Sequence, residues 1–194
     1  MIPKTNIAFK EWAVICKLLG EGRQILILRK GGIIEDGGEF KPEYGEFYLF
    51  PTFVHEQTSG LKPEVSSELK NIEAEQVKPG TVPISLLTKI TDTLWVPSLN
   101  QLKELDAHHY WSEDTVQKRF HYGSRAGLFV LLVRMYKLPA LRHVPLLDRY
   151  AGCKSWVNLE KEISTEDATP VLSDMEFKLK RAQIHLALEP ISAR

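Results

Sequence analysis

The residues best equipped for chemistry in this sequence are basic ones gathered in a single stretch. Between Thr115 and Lys154 stand Lys118, Arg119, Arg125, Arg134, Lys137, Arg142, Arg149 and Lys154, opposed only by Asp148, so this stretch carries a net +7. The whole chain of 194 residues has 25 basic and 25 acidic side chains, so the remainder carries −7. A field segregated in this way attracts a polyanion even when the chain as a whole is neutral. Phe120, His121, Tyr122, Tyr136, His143, Tyr150 and Trp156 alternate with the charges and offer stacking faces, while Lys and Arg meet phosphates. The plainer alternative is a solvated surface, and Lys118 and Arg119 have a second explanation at the end of a helix.

Arg29 and Arg134 each end a strand that is apolar on both faces. A guanidinium at the mouth of a buried strand suits bidentate recognition of phosphate or carboxylate. Parallel neighbouring strands would bring both groups to one edge. Structural ion pairs, with Glu11 or Asp148 as partners, are the alternative. The candidate anion-binding set is therefore Arg29, Lys30, Lys118, Arg119, Arg134, Lys154 and Trp156.

Catalytic chemistry has weaker letters. A metal-dependent nuclease needs an acid on one strand and Glu-x-Lys on the next, converging on Mg²⁺. Glu39-Phe40-Lys41 fits the letters, but Asp36 lies three residues before it in a glycine-rich loop, and Glu176-Phe177-Lys178 falls in a helix. The residues of a phosphodiesterase reading are Glu11, Glu39, Lys41 and His55, with Mg²⁺; otherwise no cofactor is implied. Cys153 beside Lys154 could be a nucleophile of lowered pKa, although no histidine is tied to it by spacing. His108 and His109 are adjacent, which points their rings apart, and no Cys-x₂-Cys or His-x₃-His spacing supports a metal site. The glycine-rich stretches lack the pattern of a phosphate loop.

Periodicity gives the elements that must position these groups. Phe9, Trp12, Cys16 and Leu19 predict a helix over Ile7–Leu19, with Asn6 at its start. Gln24–Arg29 and Glu46–Phe53 read as strands, most simply paired antiparallel. An exposed helix follows from Pro63 through Ile72, then a strand over Ile84–Ile90 and a helix capped by Ser98. Ser112 caps another helix, with Trp111 and Val116 as its hydrophobic staple. Leu128–Tyr136 is a strand, and a shorter one surrounds Ser155–Leu159. Residues 164–168 read as a linker to a helix over Pro170–Leu188, whose Leu172, Met175, Leu179, Ala182 and Leu186 form one narrow seam. The expectation is α+β: a mixed sheet of four or five strands in a single domain over 1–163, flanked by helices, with a linker and a docked or partner-binding C-terminal helix over 164–194.

Composition bounds the rest. Hydrophobic residues make up 43% and charged residues 26%, a globular balance. No apolar run approaches the ~18 residues of a membrane span. The N-terminus lacks a signal-peptide pattern, and two cysteines cannot build a disulfide framework, so the expected compartment is the cytoplasm. Nucleic acid, and a homodimer or protein partner through the C-terminal helix, are the expected partners.

Four motifs in order resemble a known family. Glu11-Trp12-Ala13, Arg29-Lys30-Gly31-Gly32-Ile33, Phe50-Pro51-Thr52 with His55, and Gly152-Cys153-Lys154-Ser155-Trp156 are similar to those of an uncharacterised bacterial family, well represented in cyanobacteria, the domain of unknown function 1802. The resemblance implies an association with restriction–modification systems and, through it, with nucleic acid. The family pattern has Gln directly after the motif histidine, whereas here Glu56 comes first and Gln57 second.

Overall fold

The computed structural model describes residues 1–30, 44–53, 58–68, 72, 78–152 and 154–189. The chain opens with a strand, β1 (Lys4–Trp12), and only then turns into helix α1 (Ala13–Gly20). The expected helix over Ile7–Leu19 is thus half strand. The apolar spacing there satisfies both periods, and hydrogen bonding decides between them: β1 pairs parallel with β3 (Glu46–Thr52) and antiparallel with β6 (Trp156–Ser164). Asn6 caps nothing; its Nδ2 donates to Leu159 O across the β6 ladder at 3.2 Å.

The antiparallel pairing of β2 (Leu26–Arg29) with β3 expected from sequence does not occur; β2 pairs antiparallel with β5 (Leu128–Pro145) instead. β5 pairs in turn with β4 (Thr81–Val96), and β4 with β3. The order is β2-β5-β4-β3-β1-β6, and a short β7 (Thr169–Pro170) joins β5. The sheet is mixed, as expected, but has seven strands among the described residues where the sequence predicts four or five. β1 was hidden under a helical pattern, and the two-residue β7 has no periodicity to read.

The long β4–β5 ladder carries two irregularities. Between Ile84 and Leu86 of β4, β5 runs from Arg142 to Lys137, and Thr91 is an extra residue between Ile90 and Asp92. Bulges of this kind bend and twist a ladder.

Alternation along the strands builds two cores, one on each face. Phe9, Phe47 and Leu49 join α1, β2 and the near half of β5 in the larger one. Ala8, Tyr48 and Phe50 turn the other way, onto Val82, Ile84, Tyr150 and Val157. Both faces are covered, which is why these strands are apolar throughout. α1 sits inside the larger core with Ala13–Cys16, Leu18 and Leu19 all buried.

Two helices lie between β4 and β5. Ser98 caps α3 (Leu99–Glu104; the four-residue α2 is Pro63–Ser66), its Oγ accepting from Gln101 N at 3.4 Å. Ser112 caps α4 (Glu113–His121), its Oγ accepting from Thr115 N at 3.3 Å, and the staple residues Trp111 and Val116 are both buried. Among the described residues, no helix is long and apolar enough to cross a membrane.

The C-terminal helix α5 (Asp174–Leu188) begins four residues later than expected, because Ser173 and Glu176 form a reciprocal capping box there. It docks on the body through Phe177 and Ile184, which are buried. The expected seam faces the other way: Met175, Leu179 and Leu186 are 81%, 60% and 68% exposed. Of the seam only Leu172, ahead of the helix, packs against the core; its helical residues do not. Arg134 Nη2 to Asp174 Oδ1 at 2.5 Å and a two-pronged Arg181–Asp92 pair at 2.6 and 2.7 Å fix the helix at its start and its middle.

Two stability outcomes follow. Replacing Ser112 by Ala removes a cap and costs about 1 kcal/mol, read as a lower denaturant midpoint at unchanged slope. Phe177→Ala costs about 3 kcal/mol or more, whereas Leu179→Ala stays within about 0.5 kcal/mol. The opposite ranking would mean that α5 docks through its seam.

Candidate anion-binding site

β1 and β2 are four places apart in the strand order, yet their C-terminal ends meet. Arg29, the last residue of β2, lays its guanidinium over the Phe9 ring with 4.2 Å to the centroid. Its Nη2 donates to Lys10 O and lies 3.3 Å from Glu11 Oε2. Glu11 is 2% exposed, an uncommon place for a carboxylate. Its Oε1 accepts from Trp12 N at 2.8 Å, while Oε2 has no aligned donor, and Arg29 Nε is likewise buried without an acceptor.

A second guanidinium reaches the same place from α4. Arg119 lies between two indoles, 5.2 Å from the Trp12 ring centroid and 5.1 Å from that of Trp111. Its Nη1 donates to Leu28 O at 3.4 Å. Burial pulls its pKa down to about 10, with Glu11 acting to raise it and Arg29 to lower it further. Even so it remains protonated at neutral pH. Two partly buried guanidinium groups thus gather among Phe9, Trp12 and Trp111, Arg29 in contact with the Glu11 carboxylate and Arg119 close enough to feel its charge.

The local folding that achieves this is short range. Trp12 ends β1, and Trp111, in register with Leu61 across an isolated bridge, sits one residue before the α4 cap. Thr115 Oγ1 and Ser112 N both donate to Gly60 O, which holds the 58–66 segment against α4. A side chain at Gly60 would fall 2.5 Å from the Trp12 ring, so the indole can come this close only beside glycine.

A family model described as Domain of unknown function (DUF1802) matches residues 8–183. The chain belongs to this family. No curated protein matches it. Among solved structures, a crystal structure of ASCH from Zymomonas mobilis is similar with a TM-score of 0.42 at 10% identity, covering 91% of this chain and 92% of that one.

In this DUF1802 domain the structure brings together Glu11, Arg29 and Arg119 of the residues singled out from sequence. Lys30 is adjacent but committed: its ammonium donates to the carbonyls of Phe120, Arg125 and Gly127, closing the C-terminal end of α4. Burial lowers its pKa. Trp156 pairs with Phe9 across β1–β6 and packs edge-on against Phe9, Phe47 and Tyr44, so most of its ring is core. Lys118 points outward to Asp114 at 2.6 Å.

Arg134 does not join Arg29. β2 and β5 run antiparallel, with Arg29 opposite Phe129, so the two arginines lie at opposite ends of the ladder. The partner of Arg134 is Asp174, not Asp148. Lys154 is exposed in the turn before β6. Glu39, Lys41, His55 and Cys153 lie outside the described residues, and among the described ones no three His, Cys, Asp or Glu side chains gather around a metal-sized space. Cys16 is buried, as its place in the helical pattern implies.

Two participants escape sequence reasoning. Trp12 reads as one more apolar position of a helix, and Trp111 as half of a staple. His109, beside Trp111 with ring centroids 5.7 Å apart, is the third buried group here. Its Nδ1 has no partner, and burial pushes its pKa down to about 4, with Lys62 acting in the same direction.

The sign of the resulting pH effect is fixed. The folded protein keeps His109 neutral, while the unfolded chain takes up a proton below about 6.5, so stability is lost as pH falls from about 6.5 toward 4. The loss is on the order of 3 kcal/mol. Asp92, held near 2 chiefly by its hydrogen bonds from Arg181, loses its own contribution only below about 4. Denaturant midpoints from pH 7.5 to 4.5 should therefore fall for the wild type and flatten for His109→Leu. A parallel decline in both would assign the loss elsewhere.

Proposed function

We propose that this chain is a nucleic-acid-binding module that grips a backbone phosphate at the Glu11–Arg29–Arg119 site. The observation that carries the reading is the state of Arg119. It is a charged guanidinium between two indoles, with one backbone acceptor and, among the described residues, no carboxylate within 4.0 Å, while the nearby Glu11 is taken by Arg29. Such a group is stabilised by an arriving anion more than a solvated lysine is, because charge-assisted hydrogen bonds strengthen away from water.

The wider basic field supports approach more than grip. Lys118, Arg134 and Arg149 are paired with Asp114, Asp174 and Glu160. Arg125 rests on the Trp95 ring at 4.4 Å. Among the described residues, Arg125, Lys137, Arg142 and Lys154 have no acidic partner within 4.0 Å. Lys137 and Arg142, on the far half of β5, steer a polyanion at long range.

The test is fluorescence anisotropy with labelled single- and double-stranded oligonucleotides across a salt series. Binding at low salt should weaken steeply as salt rises. Arg119→Lys should cost about 1–3 kcal/mol, since a point charge lacks the planar fork. Lys118→Ala should change the salt slope by no more than about one. Arg134→Ala should leave affinity intact while lowering the denaturant midpoint. No binding to any oligonucleotide at low salt would sink the reading.

A further inference from the structure

The charge count at the site narrows what can occupy it. The charged and titratable groups facing it among the described residues are Glu11 from β1, Arg29 and Lys30 at the end of β2, Arg119 from α4, and His109 beside Trp111. Lys30 is spent on three carbonyls at the negative end of the α4 dipole. His109 is neutral at pH 7, and Lys62 beyond it is paired with Asp106 at 2.9 Å. Lys10 turns to the opposite face of β1, onto the carbonyls of Tyr150 and Gly152. Among the described residues, what remains is two guanidinium groups near one buried carboxylate, an excess of one positive charge.

Where water is scarce, a net charge is costly and neutrality is favoured. One negative charge cancels the excess. A dianion overshoots it and sets a second negative charge beside Glu11 Oε2, which already lacks an aligned donor. We infer that the site takes a singly charged phosphodiester in preference to a doubly charged terminal phosphate, and that Glu11 sets this preference. The inference rests on the proposed nucleic-acid reading and makes Glu11 its specificity-determining residue. The carboxylate acts as a built-in counter-charge: present, it matches the site to a phosphodiester; removed, it leaves two uncompensated guanidinium groups suited to a dianion.

Competition against a labelled, hydroxyl-ended single-stranded oligonucleotide tests it, with two competitors that differ by one ester methyl group and, through it, in charge. Adenosine 5′-methyl phosphate carries one negative charge at every pH used. Adenosine 5′-monophosphate carries nearly two at pH 7.5 but close to one at pH 5.5, because its second pKa is about 6. For the wild type at pH 7.5 the methyl ester should displace the oligonucleotide at roughly tenfold lower concentration. At pH 5.5 the gap should close through improved competition by the monophosphate, with the methyl ester as the reference for any effect of His109 on the protein. Glu11→Gln at pH 7.5 should abolish or invert the gap.

The pH comparison uses the wild type alone, so it decides the question even if Glu11→Gln does not fold. Equal competition by the two compounds at pH 7.5 would overturn the inference, as would a gap that persists at pH 5.5. In both cases oligonucleotide binding weakened by Arg119→Lys would leave the binding reading standing, whereas absence of oligonucleotide binding removes both. Sedimentation with phosphatidylglycerol vesicles separates the other common source of phosphodiesters. Binding to vesicles in place of the oligonucleotide would also overturn the assignment.

Discussion

The structure turns on the contact that Arg29 makes with β1. In a flat sheet of this strand order, β2 and β1 would lie about 19 Å apart, four inter-strand spacings. Instead the Arg29 guanidinium touches Lys10 O, Glu11 and the Phe9 ring. That is achievable only if the sheet curls until its first and fifth strands face each other. The curl has local causes in the ladder irregularities at Ile84/Leu86 and Ile90/Asp92 and in the natural twist of long paired strands. α1 fills the resulting interior, so curl, plug and closing ion pair define one another.

Closing a sheet with charges instead of backbone hydrogen bonds has an energetic consequence. Desolvating Glu11 and Arg29 costs several kcal/mol each, and their attraction offsets this only with good geometry. Here the geometry is incomplete, since Glu11 Oε2 and Arg29 Nε both lack aligned partners. Adding Arg119 raises the local charge without completing the hydrogen bonding. A chain selected for stability alone would do better with apolar residues at these three positions. Their presence is more naturally a feature of binding, where polar groups poorly satisfied by the protein are completed by a ligand.

How far the sequence discloses this depends on whether a signal is local. Caps are local: Ser98 and Ser112 each act on a backbone N–H three residues away, and both were legible. Strands apolar on both faces were legible as buried because both sides of the sheet carry a core. β1 was not, since Phe9 and Trp12 fit a helical period that continues into α1, and only the long-range partners Tyr48–Thr52 and Trp156–Asn158 settle the matter. The α5 seam misled for a related reason. A heptad-like stripe identifies an apolar face, but Phe177 and Ile184 form a second, shorter one on the opposite side, and tertiary contact selected the aromatic.

The basic stretch illustrates the same limit for function. Its +7 is a property of the chain, but folding distributes those charges to quite different ends. Arg134 and Arg119 are fifteen positions apart in sequence and do unrelated work, one pinning the C-terminal helix through Asp174 and the other lodging against Trp12 and Trp111. Counting charge along a chain cannot separate them, because the difference lies in whether each meets a carboxylate or an aromatic cage and how much water remains around it. Three of the family motifs place Glu11, Trp12, Arg29, Lys30 and Trp156 around the closure of the sheet, while the decisive Arg119 and Trp111 lie outside those motifs on α4 and just before it. A motif search therefore finds the rim of this site, and only the fold supplies the cation at its centre.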